Sequence, residues 1–295
     1  MNINSLRGSF NYAMHGCGAY RGILHSNSKE AYNHWKKKVN IFEVDVVETA
    51  DGDFILFASH GISDNELYRL EVYNPSPIED RTSDYLLGQK LFSRSSSGVY
   101  SLSLPVALEE MKRNPSLIFI FDLFGLWKST PRFVKRLICV VEKDIHLFER
   151  IVLEAYYETQ IRDIQSIYSA INIMYCVKEL SLPYPSDLTY ERLIQLGVSI
   201  ISYPWKNIND YNELERYVEG GFLVMSLSHT NLGAHKKKKL GVNINNVDII
   251  YSKKDFLKEF TNYAIGRIRW YSVKVYDRYI IKYLKNEKNI NSRRV

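Results

Sequence analysis

Two acidic residues stand two positions apart in an otherwise apolar run that extends from Ile41 to Val47. Successive side chains of a β-strand point to opposite faces, so Glu43 and Asp45 would share one face of such a strand. Two buried carboxylates repel each other and lose their hydration, and a divalent cation relieves both costs. Because oxygen ligands suit Mg²⁺ or Ca²⁺ better than zinc, the pair indicates a site for one of these ions. The alternative is a strand end where both acids reach solvent or pair with a basic residue.

Three further residues could act with this pair. Asp122 stands near the end of the apolar run from Leu117 to Leu123, where it could be a third metal ligand or cap the next helix. His15 and His60 are each followed by glycine at the end of a predicted strand or hairpin. One histidine could take a proton from an attacking hydroxyl while the other gives a proton to a leaving alkoxide. With a metal that neutralises and orients a phosphate, this set predicts hydrolysis or transfer of a phosphodiester.

Strands that are buried on both faces must position these residues. Eight runs rich in Ile, Val, Phe and Tyr have the composition of such strands. They are Phe10–Met14, Ile41–Val47, Leu117–Leu123, Ile151–Tyr157, Ile171–Val177, Val198–Tyr203, Phe222–Leu227 and Val247–Tyr251. The amphipathic segments between them include Ser28–Lys38, Pro105–Arg113, Arg132–Glu142 and Tyr211–Val218. Eight strands that alternate with helices favour a closed (β/α)₈ barrel of the TIM type, with its active site at the carboxyl ends of the strands.

The second predicted strand carries an addition. The Asp51-Gly52-Asp53 sequence indicates a turn, so Ile41–Val47 and Phe54–Phe57 are predicted to form a β-hairpin that returns the chain to His60. Residues 62–103 are largely polar and are predicted to form a long loop insertion over the mouth of the barrel. Long loops in compact domains are often functional lids.

We expect residues 1–285 to form a single domain with a docked C-terminal helix over 255–285, and residues 286–295 to form a frayed basic tail. The tyrosine- and arginine-rich stretch Arg267–Lys282 could instead be a peripheral membrane contact. The chain is 45% hydrophobic, which supports a substantial core. Its net charge of +6 is too small to argue for a nucleic-acid partner. The sequence shows neither a signal peptide nor an apolar run of membrane-spanning length, so we expect a cytoplasmic protein.

The order of these residues resembles the glycerophosphodiester phosphodiesterase family, which belongs to the phosphatidylinositol-phospholipase-C-like phosphodiesterases. The matching positions are His15-Gly16, Asn27-Ser28, Glu43-Val44-Asp45, Asp51-Gly52, His60 and the helix start at Leu104–Glu110. The resemblance covers about the first 125 residues. It implies a TIM-barrel hydrolase that uses Mg²⁺ or Ca²⁺, with Glu43, Asp45 and Asp122 as metal ligands and His15 and His60 as the acid–base pair. The implied substrate is a glycerophosphodiester, or a related phosphodiester in a lipid headgroup or a glycan.

The chain departs from the family's pattern where two phosphate-binding cations are expected. Gly16 stands in place of an arginine and Phe124 in place of a lysine. Arg21 or Lys178 could replace these cations. Glu154, Tyr203 and Trp205, near the ends of later strands, are further candidate contacts to the substrate. Glu154 and Lys178 could instead pair between adjacent strands, and the two aromatic residues could pack in the helix layer.

Two other functions are consistent with these residues. The first is a non-catalytic barrel that binds a phosphorylated ligand, which the missing cations favour. The second is a related lyase or phosphoryl transferase that stops at a cyclic phosphate or passes the phosphoryl group to a sugar. The sequence leaves the oligomeric state open.

Overall fold

The computed structural model describes residues 3–20, 26–57, 80–88, 90–91, 99–141, 144–177, 188–204, 211–230 and 234–249. The predicted C-terminal helix and basic tail lie outside these residues, as do most of the predicted loop insertion and His60. Within the described ranges, every helix is too short or too polar to cross a bilayer.

The described residues form twelve strands and eight α-helices. The strands are β1 (Asn11–Met14), β2 (Ile41–Glu48), β3 (Phe54–Leu56), β4 (Lys90–Leu91), β5 (Val99–Tyr100), β6 (Leu102–Ser103), β7 (Ile118–Asp122), β8 (Ile151–Ala155), β9 (Asn172–Cys176), β10 (Ile200–Pro204), β11 (Leu223–Thr230) and β12 (Ile244–Ile249). The helices are α1 (Lys29–Trp35), α2 (Ser83–Gly88), α3 (Leu104–Arg113), α4 (Thr130–Val141), α5 (Glu158–Ile167), α6 (Tyr190–Gln195), α7 (Tyr211–Glu219) and α8 (Ala234–Lys239). Short 3₁₀ helices cover Ile3–Leu6, His15–Cys17, Phe124–Leu126 and Ile145–Arg150.

A closed parallel barrel is the centre of the fold. Its strands follow the order β1, β2, β7, β8, β9, β10, β11 and β12, and a pairing between β12 and β1 closes the ring. Helices follow most of the strands, so the predicted (β/α)₈ barrel is confirmed. The last strand begins at Ile244, earlier than in the predicted Val247–Tyr251. The prediction started too late because Asn245 and Asn246 interrupt the apolar pattern of this strand.

The barrel packs two hydrophobic layers. The interior layer consists of Ala13, Ile41, Ile118, Ile120, Val152, Met174, Ile200, Leu223, Met225 and Ile244, together with Ile3 and Leu6 from the 3₁₀ helix before β1. The opposite faces of the strands pack against the helices in a larger outer core. Side chains alternate between the two faces of a strand, so the next inward-facing residue lies two positions after each residue of the interior layer. These residues are nearer the carboxyl ends of the strands. Acidic residues occupy these positions on β2, β7 and β8.

Strand β2 continues beyond the barrel into a hairpin, as predicted. Its residues Ile41–Asp45 pair with β7, whereas Val46–Glu48 pair with β3 in antiparallel register. Gly52 occupies the turn with a φ of 74°, a conformation that glycine adopts without steric cost. The Asp51 carboxylate accepts hydrogen bonds from the backbone and hydroxyl of Ser83, which begins α2.

The hairpin and α2 share a small hydrophobic cluster at the carboxyl end of β2. Its members are Val47, Ile55, Phe57, Leu86 and Val99. Residues 58–79, 89 and 92–98 lie outside the described residues. The predicted covering of the barrel mouth by residues 62–103 therefore stays a prediction.

Candidate metal and catalytic site

Four acidic side chains lie on the inward face of three neighbouring strands. Asp45 pairs with Asp122 between β2 and β7, and Asp122 pairs with Glu154 between β7 and β8. Glu43 lies one inward position before Asp45 on β2. One carboxylate oxygen each from Glu43, Asp122 and Glu154 lies within 4.8 Å of the others. All four residues are buried, with exposed fractions of 2–5%.

Burial and the proximity of the other acids make the charged form of Glu43 costly. Burial is the largest cause that raises the Glu43 pKa well above its ordinary value, followed by the charges of Asp45, Asp122 and Glu154. A hydrogen bond of 2.8 Å from the Gly16 backbone N–H to Glu43 Oε2 acts in the opposite direction. A divalent cation among these oxygens would favour the deprotonated acids, and the all-oxygen donor set fits Mg²⁺ or Ca²⁺. The residues present therefore fit the predicted metal.

Asp45 is held by a side chain from the segment before α1. Asn27 Nδ2 donates to Asp45 Oδ2 at 2.8 Å, and the Asp45 backbone N–H donates to Asn27 Oδ1 at 3.1 Å. Asn27 is fully buried and has a φ of 47°, in the left-handed region that costs a non-glycine residue free energy. Both ends of its amide are thus used to orient one acid of the site.

Two substitutions of Asn27 should distinguish the free-energy cost of its left-handed backbone conformation from the contribution of its side-chain hydrogen bonds. Asn27→Ala and Asn27→Gly both lose the amide, and each is expected to lower the free energy of unfolding by about 1–3 kcal/mol. The alanine variant should be less stable than the glycine variant by about 1 kcal/mol, because only glycine adopts this φ freely. Chemical denaturation measures both effects. Asn33→Ala, at an exposed asparagine of α1, is the control and should change stability by no more than about 0.5 kcal/mol. Equal stability of the Asn27 variants would contradict the backbone argument.

His15 lies at the carboxyl end of β1, beside the acids. Its Nε2 atom is 3.9 Å from Glu43 Oε2, and its side chain is 13% exposed. Gly16 and Cys17 follow with φ values of 51° and 62°, which turn the backbone so that the Gly16 N–H reaches Glu43. His15 is thus next to the acid cluster, as the sequence predicts, while His60 lies outside the described residues.

The other predicted contacts have different outcomes. Glu154, expected to contact substrate, is grouped by the structure with Glu43 and Asp122. Tyr203 is fully buried within the outer core that packs against the helices, so we do not include it in the proposed site. The remaining candidates, Arg21, Lys178 and Trp205, lie outside the described residues.

Sequence reasoning missed Tyr156 and Gln160, which lie beside the acid cluster. The Tyr156 hydroxyl donates to Asp122 Oδ2 at 3.0 Å, and the ring of Phe124 packs edge-on against the Tyr156 ring with centroids 5.2 Å apart. Gln160 accepts a 2.9 Å hydrogen bond from the Tyr156 backbone N–H. The only signal available was the position of Tyr156 two residues after Glu154, which puts both on the same face of the predicted strand Ile151–Tyr157.

Comparisons with known proteins bear on the fold. No protein-family model matches the sequence, and no curated protein matches it. Many solved structures do match, and those described here are 12–16% identical to the chain.

One similar structure is a proposed glycerophosphoryl diester phosphodiesterase from Silicibacter pomeroyi, with a TM-score of 0.69 and 12% identity over 91% of this chain and 98% of the other. Another, from Galdieria sulphuraria, is named as a proposed glycerophosphodiester phosphodiesterase; it has a TM-score of 0.66 and 16% identity over 81% and 94%. A phosphodiesterase from Oleispira antarctica, in complex with the product sn-glycerol-3-phosphate, has a TM-score of 0.63 and 13% identity over 88% and 98%. The chain therefore has the barrel fold of the glycerophosphodiester phosphodiesterases.

Proposed function

We propose that the chain is a metal-dependent phosphodiesterase that acts on a glycerophosphodiester or a related phosphodiester of a lipid headgroup or glycan. The observation that carries the proposal is the acid cluster at the barrel mouth, in which oxygens of Glu43, Asp122 and Glu154 lie within 4.8 Å of one another. The shared fold with glycerophosphodiester phosphodiesterases, one of them in complex with sn-glycerol-3-phosphate, supports the choice of substrate class.

The acids would hold a divalent cation, Mg²⁺ or Ca²⁺. Glu43, Asp122 and Glu154 supply the converging oxygens, and Asp45, predicted as a ligand, lies at the same level of the barrel as Asp122. When bound, such a cation neutralises the negative charge of a phosphodiester and fixes its orientation. The apolar layer beneath the acids excludes water from below.

The two histidines would act as the general base and the general acid of the reaction. In hydrolysis, the oxygen of water forms a bond to phosphorus as the bond to the leaving alkoxide breaks. One of His15 and His60 takes the proton released by water, and the other gives a proton to the alkoxide. A hydroxyl on the substrate next to the phosphate could attack in place of water, and the first product would then be a cyclic phosphate.

A panel of phosphodiesters tests the proposal. We expect the full chain to convert at least one of glycerophosphocholine, glycerophosphoglycerol or a lysophospholipid in the presence of Mg²⁺, Mn²⁺ or Ca²⁺, and to convert none in excess EDTA. Phosphorus NMR follows the reaction and distinguishes a phosphomonoester from a cyclic phosphate. Failure of every phosphodiester with every metal would contradict the proposal and favour the non-catalytic barrel.

A further inference from the structure

We infer that Tyr156 is a positioning residue for the acid cluster: its hydroxyl holds Asp122 in the orientation needed to bind a cation, and Gln160 holds Tyr156. The inference rests on the proposed function, since it assigns a role to residues around the proposed metal site. It concerns side chains that do not themselves touch the cation or the substrate.

Both oxygens of Asp122 have a donor. The Phe124 backbone N–H donates to Oδ1 at 2.7 Å, and the Tyr156 hydroxyl donates to Oδ2 at 3.0 Å. Each carboxylate oxygen accepts in two directions, so both donors leave a lone pair for a cation. Two fixed donors remove the rotation of the carboxylate about its terminal bond. Groups that orient a ligand in this way typically change metal affinity by about 10–100-fold.

The Tyr156 hydroxyl has no role in filling space. The side chain is 5% exposed, and its ring packs with Phe124, Tyr157 and Cys176 in a small cluster. Phenylalanine would fill nearly the same volume, whereas a buried hydroxyl costs free energy unless it is hydrogen-bonded. An ionised carboxylate can only accept a hydrogen bond, so the Tyr156 hydroxyl is the donor in its contact with Asp122.

Gln160 fixes the backbone on both sides of this contact. This fully buried side chain lies in the first turn of α5. Its Oε1 atom accepts from the Tyr156 backbone N–H at 2.9 Å, and its Nε2 atom donates to the Leu123 carbonyl at 3.0 Å and to Thr130 Oγ1 at 3.3 Å. Leu123 directly follows Asp122, so one amide ties together the carboxyl ends of β7 and β8. Together with the pairing of β7 and β8, this connection holds Tyr156 close to Asp122.

The test compares two neighbouring tyrosines in the full chain. Mn²⁺ affinity is measured by EPR titration for the wild type, Tyr156→Phe and Tyr157→Phe. The Tyr157 hydroxyl makes no hydrogen bond among the described residues, so its removal is the matched control. We expect Tyr156→Phe to raise the Mn²⁺ Kd by about 10–100-fold. Tyr157→Phe should change it by no more than about twofold.

Two accompanying measurements separate positioning from loss of structure. Thermal unfolding in EDTA should show a cooperative transition for both phenylalanine variants. Gln160→Met, which keeps the length of the side chain and loses its hydrogen bonds, should also raise the Mn²⁺ Kd while the protein remains folded. Equal Mn²⁺ affinity in the wild type and Tyr156→Phe would overturn the positioning role alone. Absence of Mn²⁺ binding by the wild type would instead overturn the proposed function.

Discussion

Replacing Glu43 with glutamine is expected to weaken cation binding severely and, at the same time, to stabilise the cation-free protein. Glu43 is 2% exposed, and oxygens of Asp122 and Glu154 lie within 4.8 Å of its own ligand atom. Glutamine has the same shape, removes one negative charge from the cluster and supplies a weaker ligand. Because loss of a mere orienting group costs about 10–100-fold in metal affinity, loss of this ligand should cost at least about 100-fold, with a similar loss of turnover.

The stability gain should depend on pH in a defined direction. Burial and the neighbouring acids raise the folded-state pKa of Glu43 well above its ordinary value of 4.5. The cation-free wild type should therefore lose stability as the pH rises from about 4.5 through the raised pKa, because the unfolded chain releases this proton more readily. Glu43→Gln lacks this contribution, so its Tm advantage over the wild type in EDTA should grow as the pH rises.

Thermal unfolding in EDTA at about pH 5 and about pH 8 measures this effect, and Mn²⁺ titration measures the loss of binding. Glu149→Gln is a matched control, because Glu149 has a side chain that is 60% exposed and lies outside the acid cluster. It should alter neither property. A Glu43→Gln variant that still binds Mn²⁺ like the wild type, or that is less stable in EDTA at both pH values, would contradict the proposed site.

Loss of the His15 imidazole should have the second large effect. His15→Ala is expected to cut turnover by about 10²–10⁴-fold, the range for removal of a general acid or base. Its Nε2 atom lies 3.9 Å from Glu43 Oε2, close enough to contact a substrate bound at the proposed metal site. Cation binding should survive, since the proposed ligands are carboxylates. The same loss is predicted for His60→Ala, and the double variant should lose less than the product of the single losses.

Turnover on an identified substrate and Mn²⁺ affinity are measured for each variant. Turnover of the wild type should fall on both sides of an optimum near neutrality, because the two histidines must start in opposite protonation states. His146→Ala is the control, since that side chain is 88% exposed and lies in a 3₁₀ helix before β8. Wild-type turnover in both His15→Ala and His60→Ala would remove the acid–base assignment.

The acids of the site were predictable to different degrees. Glu43 and Asp45 stand out because charged residues at a spacing of two in an apolar run require an explanation from the residues alone. The association of Glu154 with Glu43 and Asp122 was not predictable, because it depends on which residues of β7 and β8 lie side by side. Packing of the whole barrel determines that register, so the sequence of a single strand does not predict it.

A strand without regular alternation of polar and apolar residues does not indicate which way its side chains point. In Val198–Tyr203 the two serines, Ser199 and Ser202, stand three positions apart, so the sequence could not indicate whether Tyr203 faces the mouth or the helix layer. The role of Gln160 was hidden for another reason. A glutamine near the start of a helix is ordinary, and its burial arises only when α5 packs over the ends of β7 and β8. The barrel and its acids were thus predictable, while the contacts between elements were not.

The apolar layer inside the barrel has a consequence for the order in which ligands can enter. Ile120 and Val152 are the inward-facing residues two positions before Asp122 and Glu154. Apolar side chains therefore fill the barrel interior directly below the carboxylates. The electric field of the carboxylates is then directed toward the open end, where it repels any approaching anion. Under the proposed function, a phosphodiester would be attracted to the site only after a cation has compensated that field. The barrel would then impose an order of binding, with the cation first and the phosphodiester second.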